Sequence, residues 1–163
     1  MTDWPHDDTS ALTAFYGDPS HPHWPIDNLV TFTPPWQMSY KDDNGHITPI
    51  TKFQVHAKTL EAMNAVFSDI WAYYGKSQDV INAINMQWYG GCFNYRPIRG
   101  SSRLSCHAFA AAIDLDPEHN PMNRSQISHM PPVVIAAFKK QGAFWGGDFH
   151  SRQDPMHFQW AHE

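Results

Sequence analysis

Short segments of the sequence carry side chains of the kinds that bind metal ions. The segments are Ser105-Cys106-His107, Ile113-Asp114-Leu115-Asp116 and Asp154-Pro155-Met156-His157-Phe158. Imidazole and carboxylate groups together suit zinc, whose catalytic sites use three protein ligands and leave one position for water. His107, Asp114 and His157 provide such a set. The sequence therefore predicts a zinc site whose ligands come from distant parts of the chain.

The spacing of the first pair of ligands constrains the backbone between them. His107 and Asp114 are seven residues apart. On an unbroken strand that spacing would direct the side chains to opposite faces. The chain must therefore bend between them, and the segment from Ala108 to Ala112 is small enough to allow a bend.

Asp154 is the candidate proton carrier beside this metal site. Hydrolysis by a zinc-bound water requires a group that takes a proton from the water and passes it to the leaving group. Asp154 lies three residues before His157, and the restricted φ of Pro155 helps to fix where its carboxylate points. A neighbouring dication favours the charged form of a carboxylate unless burial opposes it. We therefore expect Asp154 to act as an ionised general base.

The composition of the chain excludes several classes of function. A length of 163 residues with 42% hydrophobic and 14% aromatic residues predicts one folded domain over residues 1–163. The formal net charge of -5, without long runs of one sign, argues against nucleic acid or anionic lipid as a partner. The sequence has no run of eighteen apolar residues, which argues against a membrane span. We expect a monomer with free thiols at Cys92 and Cys106.

The order of the predicted elements favours an α+β domain with a small antiparallel sheet and flanking helices. Residues 1–50 are rich in proline and predict an irregular arm packed on the body, with a short strand at Leu29 to Phe32. The apolar spacing from His56 to Tyr74 predicts an amphipathic helix that ends at Gly75. The other expected elements are a short helix in Gln78 to Gln87, a strand in CFNYRPI after a break at Gly90-Gly91, a strand end at Ile113 to Asp116, a helix in VVIAAFKKQG and short strands in the C-terminal tail.

Several motifs resemble those of a family of zinc peptidases. SCHAFAAAID is similar to the SxHxxGxAxD signature of the D-alanyl-D-alanine carboxypeptidase and L-alanyl-D-glutamate endopeptidase family. DPMHFQW resembles the closing motif of that family, and FNYRPIRGSSRLS resembles its Arg-bearing strand and loop. These motifs follow one another in the family's order from about Gly90 to Trp160. The resemblance implies a hedgehog-like fold and hydrolysis of peptidoglycan.

The resemblance also implies a role for particular residues. His107, Asp114 and His157 match the zinc ligands of the family, and Asp154 matches its catalytic acid/base. Arg96 matches the Arg that polarises the scissile carbonyl or holds a substrate carboxylate, with Arg99 and Arg103 as competitors for this role. Ala110 stands where the signature has Gly, so a left-handed backbone at that position would put the ligand geometry in doubt.

The predicted reaction is hydrolysis of a bond in the peptidoglycan stem peptide, and the L-Ala–D-Glu bond is the preferred target. Removal of the terminal D-Ala is the competing specificity. More distant alternatives are a non-haem iron oxygenase, which also uses two His and one carboxylate, and a zinc-binding module without catalysis. The N-terminal sequence has no basic start followed by an apolar run, so we expect synthesis in the cytoplasm without a signal peptide. We therefore expect an endolysin-type enzyme that acts on the cell wall after release on lysis.

Overall fold

The computed structural model describes residues 2–123 and 125–163, which form helices and short antiparallel sheets. This mixture is compatible with the predicted α+β class. The helices are α1 (Thr9–Tyr16), α2 (Trp24–Asn28), α3 (Leu60–Tyr73), α4 (Gln78–Ala83) and α5 (Pro132–Lys140). The strands are β1 (Leu29–Phe32), β2 (Met38–Lys41), β3 (Ile47–Ile50), β4 (Phe53–His56), β5 (Tyr89–Gly91), β6 (Ala112–Leu115), β7 (Phe144–Trp145) and β8 (His157–Gln159).

A four-stranded antiparallel sheet in the order β5-β6-β8-β7 carries the C-terminal half of the predicted site. In the pairing of β6 with β8, Asp114 lies directly opposite His157, and Ile113 lies opposite Phe158. Directly opposed residues in an antiparallel pair direct their side chains to the same face. The register of these strands therefore brings a carboxylate and an imidazole together from positions 43 residues apart.

The first strand of this sheet lies earlier in the chain than the sequence predicted. The prediction of a strand in CFNYRPI is wrong, because β5 covers the glycine pair that was expected to break the chain. A Cβ atom on Gly90 would lie only 2.9 Å from the Cβ of Asp114. Glycine therefore allows β5 to approach β6 closely at this point. The residues after β5 instead form an irregular antiparallel pairing, with a bridge between Pro97 and Leu104.

The predicted helices occur close to their expected bounds. Met63, Phe67 and Ile70 of α3 are buried, as the apolar spacing predicted. Gly75 follows this helix with a φ of 68°, and Gly142 follows α5 with a φ of 78°, which is the backbone conformation that ends many helices at glycine. The predicted strand from Leu29 to Phe32 and the short strands of the C-terminal tail are also confirmed.

Residues 1–50 contain more regular structure than the predicted irregular arm. The Asp8 side chain accepts a hydrogen bond from the backbone N–H of Ala11 and caps α1, which buries Leu12 and Tyr16. Strands β2 and β3 form a hairpin whose tip includes Gly45 at a φ of 81°. Local capping and turn chemistry thus give this segment structure despite its prolines.

The hydrophobic core joins the N-terminal residues to the sheet that carries the site. Its buried members run from Trp4 to Ala161 and include aromatic residues from both halves of the chain. The Tyr16 hydroxyl donates a hydrogen bond of 2.6 Å to the backbone oxygen of Trp160. The ring of Phe138 stacks on that of Phe158 at a centroid distance of 3.9 Å. Within the described residues, none of the helices has both the length and the apolar character needed to cross a membrane.

Candidate metal centre

The structure brings together the three side chains that the sequence predicted as metal ligands. His157 Nδ1 lies 3.0 Å from Asp114 Oδ1, and His107 Nε2 lies 3.2 Å from the same oxygen. His107 Nε2 and His157 Nδ1 are 3.2 Å apart. A tetrahedral zinc site with ligand distances of about 2.0 Å separates neighbouring ligand atoms by about 3.3 Å. The spacing of the three atoms therefore fits a single zinc ion.

A short 3-10 helix and a left-handed residue place His107 against the sheet. His107 belongs to the 3-10 helix Cys106–Phe109, and its backbone N–H donates to the Ser105 hydroxyl oxygen at 3.2 Å. Ala110 then adopts φ 51° and ψ 30° before the chain enters β6. This is the bend that the seven-residue spacing required. The backbone at Ala110 is thus left-handed, and the ligand atoms still converge.

Each imidazole makes a second hydrogen bond on the side that faces away from the ligand group. His107 Nδ1 lies 2.8 Å from the backbone oxygen of Cys92. His157 Nε2 lies 2.9 Å from Gln159 Oε1, and Gln159 Nε2 donates to the backbone oxygen of Ala161 at 3.3 Å. Because these neighbours are acceptors, each of these ring nitrogens carries the proton in the neutral ring. The nitrogens that face Asp114 are therefore left with free lone pairs.

This arrangement directs three electron-pair donors at one point in a buried site. His107 is 3% exposed and His157 is 6% exposed. Burial raises the pKa of Asp114, but the charges and hydrogen bonds of the two His outweigh it and the net pKa is lowered. Burial lowers the pKa of His157, but hydrogen bonding and charge from Asp114 outweigh it and raise the pKa to about 9. The site thus favours positive charge at its centre, which a proton on His157 or a bound metal ion would supply.

The turn before β8 positions Asp154. Its backbone N–H donates to the oxygen of Gly146 at 2.8 Å, and its own backbone oxygen accepts from the N–H of His157 at 3.0 Å. A Cβ atom on Gly146 would lie 2.4 Å from the backbone oxygen of Asp154, so only glycine fits there. Trp145 Nε1 also donates to the oxygen of Pro155 at 2.9 Å. These contacts fix the direction in which the Asp154 carboxylate leaves the backbone.

The carboxylate of Asp154 lies in an environment suited to proton transfer. Its Oδ1 is buried and has no hydrogen-bond partner among the described residues. Burial raises the pKa of Asp154, the charge of His157 lowers it, and the charge of Asp114 raises it further, with a net increase. A carboxyl group with a raised pKa exchanges protons more readily near neutral pH than an ordinary surface carboxylate.

A cleft of about 430 Å³ opens onto His107, Asp154 and His157. Its wall contains all three of the arginines that the sequence proposed as substrate contacts, together with one that sequence reasoning missed. The four are Arg96, Arg99, Arg103 and Arg152. The cleft also contains the acidic residues Asp7, Asp154 and Glu163, so the arginines are in slight excess. Guanidinium groups that are not paired with these acids could bind a substrate that carries carboxylate groups.

Several residues that are close to the proposed ligands in sequence have structural roles instead. The side chain of Asp116 is 1% exposed and accepts hydrogen bonds from His119 and Asn120, so it stabilises its own turn. Phe158 and Trp160 are fully buried in the core. Sequence reasoning missed the acceptor role of Gln159, although its position two residues after His157 on a strand places both side chains on the same face.

Comparison with known proteins agrees with part of the resemblance. A family model described as D-alanyl-D-alanine carboxypeptidase matches residues 99–160. The match includes all three ligands of the centre as well as Asp154, but covers less than half of the chain and does not include Arg96. Comparisons with curated proteins and with solved structures find no match. The family match supports a hydrolase of the peptidase class, and the group of His107, Asp114 and His157 could hold its metal ion.

Proposed function

We propose that the protein is a zinc peptidase that hydrolyses a bond in the peptidoglycan stem peptide, with L-Ala–D-Glu as the target. The observation that carries this proposal is the meeting of His107 Nε2, Asp114 Oδ1 and His157 Nδ1 within 3.0 to 3.2 Å, beside a cleft that both His and four arginines line. The match to a carboxypeptidase family model over residues 99–160 supports the peptidase class. We also propose a fold of the hedgehog type, supported by the antiparallel sheet that carries Asp114 and His157.

His107, Asp114 and His157 would hold the zinc ion in this reaction. When bound there, zinc supplies a Lewis acid that polarises the scissile carbonyl and lowers the pKa of water. Asp154 takes a proton from the attacking water at its carboxylate. The same carboxyl group then donates a proton to the departing amine, which restores Asp154 for the next cycle. Burial of Asp154 Oδ1 limits exchange of this proton with bulk solvent.

The arginines of the cleft give the remaining polar contacts that a stem peptide needs. D-Glu has two carboxyl groups, only one of which continues the chain, so the substrate presents a free carboxylate near the target bond. A guanidinium group binds a carboxylate through two parallel hydrogen bonds. We propose that Arg96 faces the developing oxyanion, where a fixed cation stabilises the transition state more than the ground state.

Removal of a terminal D-Ala is the second candidate function. It is favoured by the description of the matched family model, which names a D-alanyl-D-alanine carboxypeptidase. The free C-terminal carboxylate of that substrate would also suit a cleft lined by arginines. The cleft is therefore compatible with both specificities, and the mass of the products distinguishes them.

Two further classes share the ligand set but do not use the rest of the site. A non-haem iron oxygenase holds its metal with two His and one carboxylate, but has no need of a buried base such as Asp154. A zinc-binding module without catalysis would not need Asp154 either.

We propose action on the cell wall after lysis of the producing cell, in the manner of an endolysin.

Digestion of purified peptidoglycan tests the proposed function. Zinc-loaded protein, chelator-treated protein and the Asp154→Asn variant are compared, and the products are identified by mass. We expect stem peptides cut between L-Ala and D-Glu from the zinc-loaded protein. The Asp154→Asn variant should be slower by about two to four orders of magnitude, the contribution typical of a general base. The chelator-treated protein should lose its activity because it lacks the Lewis acid.

The outcomes of this digestion separate the candidates. Release of free D-Ala without cleavage at L-Ala would replace the endopeptidase by the carboxypeptidase. Full activity of Asp154→Asn would show that Asp154 is not the base. Full activity after complete removal of metal would contradict the zinc peptidase itself.

A further inference from the structure

The N-terminal segment reaches the cleft through one acidic side chain. The backbone N–H of Asp7 donates to the oxygen of His162 at 2.7 Å, and the N–H of His162 donates to the oxygen of Pro5 at 2.8 Å. Trp4 is 4% exposed, and its Nε1 donates to the oxygen of Gln141 at 3.1 Å. The segment from Trp4 to Asp7 is therefore attached on both sides, and Asp7 lines the cleft.

Asp7 holds the guanidinium group of Arg103 in two ways. The backbone oxygen of Asp7 accepts a hydrogen bond from Arg103 Nη1, and Asp7 Oδ1 lies 3.3 Å from the same nitrogen. Cys106 Sγ donates to Asp7 Oδ1 at 3.4 Å, which connects Asp7 to the helix that carries His107. The Asp7 side chain is only 11% exposed, so it is confined by these neighbours.

Arg103 keeps binding capacity after these contacts. A guanidinium group has five N–H donors. Within residues 2–123 and 125–163, the guanidinium of Arg103 forms its hydrogen bond and its ion pair through Nη1 alone. The Arg103 side chain is 39% exposed and lines the cleft with Asp7 and His107. Its remaining donors are therefore available to a molecule in the cleft.

Pre-orientation distinguishes Arg103 from the other arginines of the cleft. In the described part of the chain, Arg96, Arg99 and Arg152 form no ion pair. A free Arg side chain loses rotamer freedom when it binds a ligand, whereas one already held loses less. Because the Arg103 side chain is 39% exposed, solvent screens this ion pair and limits its contribution to folding. The value of the Asp7–Arg103 contact therefore lies in the position that it gives the guanidinium.

We propose that Asp7 is a positioning residue that holds Arg103 in the cleft to bind a carboxylate of the substrate. The N-terminal segment is then part of the substrate site rather than a covering of the core alone. This inference rests on the proposed function, since it takes the cleft as the binding site of a stem peptide. It also selects Arg103, among the three arginines identified from the sequence, as the group that recognises the carboxylate.

Binding of stem peptide to a slow enzyme tests this proposal. The zinc-loaded Asp154→Asn protein is titrated by calorimetry with stem peptide released from purified peptidoglycan, and with the same peptide after amidation of its carboxyl groups. We expect Asp7→Asn to raise the Kd of the unmodified peptide about tenfold, the typical loss when a charge-assisted hydrogen bond is weakened. Arg103→Ala should raise it at least as much, and the two changes together should raise it no further than Arg103→Ala alone.

The matched control is Asp8→Asn. Asp8 is the next residue along the chain and caps α1, a role that asparagine also performs. We expect this variant to keep the parental Kd, and all variants to keep the parental melting temperature within a few degrees. For the amidated peptide, Asp7→Asn should leave the Kd unchanged.

The outcomes separate this proposal from the proposed function. If wild-type protein cleaves peptidoglycan but Asp7→Asn binds the peptide as Asp8→Asn does, the positioning role is wrong and the peptidase stands. If wild-type protein does not cleave but the Kd depends on Asp7 and Arg103 as described, the positioning role stands and the peptidase is wrong. If neither cleavage nor binding occurs, both are wrong.

Discussion

The state of each imidazole in the centre is set by a neighbour outside the ligand group. The backbone oxygen of Cys92 fixes the proton on His107 Nδ1, and Gln159 Oε1 fixes the proton on His157 Nε2. The contact of Gln159 Nε2 with the oxygen of Ala161 prevents the amide from turning over, because the reverse orientation would face two oxygens against each other. The ligand geometry therefore depends on residues that bind no metal themselves.

Removal of the Gln159 amide should weaken zinc binding without preventing folding. We predict that Gln159→Ala lowers the zinc affinity by about 10- to 100-fold, the usual cost of losing the hydrogen bond behind a metal-binding His. Competition with a chromophoric chelator measures the affinity. Gln141→Ala is the control, because Gln141 follows α5 and uses only its backbone oxygen to bind Trp4. Equal zinc affinities for the two variants would contradict the role of Gln159.

The candidate metal-binding group could be predicted from the sequence because residue type and motif carry that information directly. His107, Asp114 and His157 were proposed as a set, and the structure brings them together. The choice among the arginines could not be made in the same way. It depends on Asp7, which is 96 residues away from Arg103 in the chain and meets it only through the tertiary fold.

At the scale of elements, the path from His107 to Asp114 depends on one left-handed residue. The 3-10 helix Cys106–Phe109 ends at Ala110, and β6 begins two residues later. A left-handed conformation costs an L-residue with a Cβ roughly 1 to 2 kcal/mol, but costs glycine almost nothing. The convergence of His107 and Asp114 is therefore accompanied by backbone strain at Ala110.

Glycine at this position should be tolerated better than glycine at a neighbouring alanine. Ala110 and Ala112 are both fully buried, so substitution by glycine removes the same methyl group. We predict that Ala112→Gly lowers the free energy of unfolding more than Ala110→Gly does, by at least about 1 kcal/mol. The reason is that only Ala110→Gly removes strain from the backbone. Urea denaturation measures both. A larger loss for Ala110→Gly would show that the backbone there is unstrained.

Helices α3, α4 and α5 were predicted well, whereas α1 and α2 were missed and the strands were placed less well. A helix such as α3 repeats its apolar spacing over several turns, and glycine marks its end. The strands of the central sheet contain two to four residues, too few for an alternating pattern to be distinctive. The position of β5 depends on the close approach of Gly90 to Asp114, which no local pattern indicates.

At the scale of the whole molecule, His56 forms one of the buried contacts that join the N-terminal region to the rest of the chain. His56 is 1% exposed, its Nδ1 accepts from the N–H of Lys58 at 3.1 Å, and its Nε2 lies 3.0 Å from the oxygen of Tyr16. This arrangement suits the neutral ring, with its proton on Nε2. Burial lowers the pKa of His56, the contact with the Tyr16 oxygen raises it, and the charge of Lys58 lowers it, with a net decrease.

The lowered pKa of His56 predicts a loss of stability on acidification. Below the unfolded-state pKa of about 6.5, the unfolded chain binds a proton at this position that the native protein does not. As the pH is lowered, the free energy of unfolding should therefore decrease by up to about 1.4 kcal/mol per pH unit. The decrease ends when the pH reaches the lowered native pKa of His56. The contribution of His56 is complete above pH ~6.5. Denaturation at several pH values from about 7.5 downward measures the slope.

Comparison of variants assigns this slope to His56. We expect His56→Gln to have a shallower pH dependence than wild type, whatever its absolute stability. His46→Gln should keep the wild-type slope, because His46 lies on an exposed turn. A slope that His56→Gln leaves unchanged would contradict the assignment.

The central claim is that one zinc ion binds to His107, Asp114 and His157. Its most direct test is the zinc content of purified protein after zinc loading and exhaustive dialysis, measured by elemental mass spectrometry for wild type and for His157→Ala. We expect about one zinc per wild-type chain, and well below half that value for the variant. Wild-type protein without bound zinc, or a variant that retains a full equivalent, would contradict it.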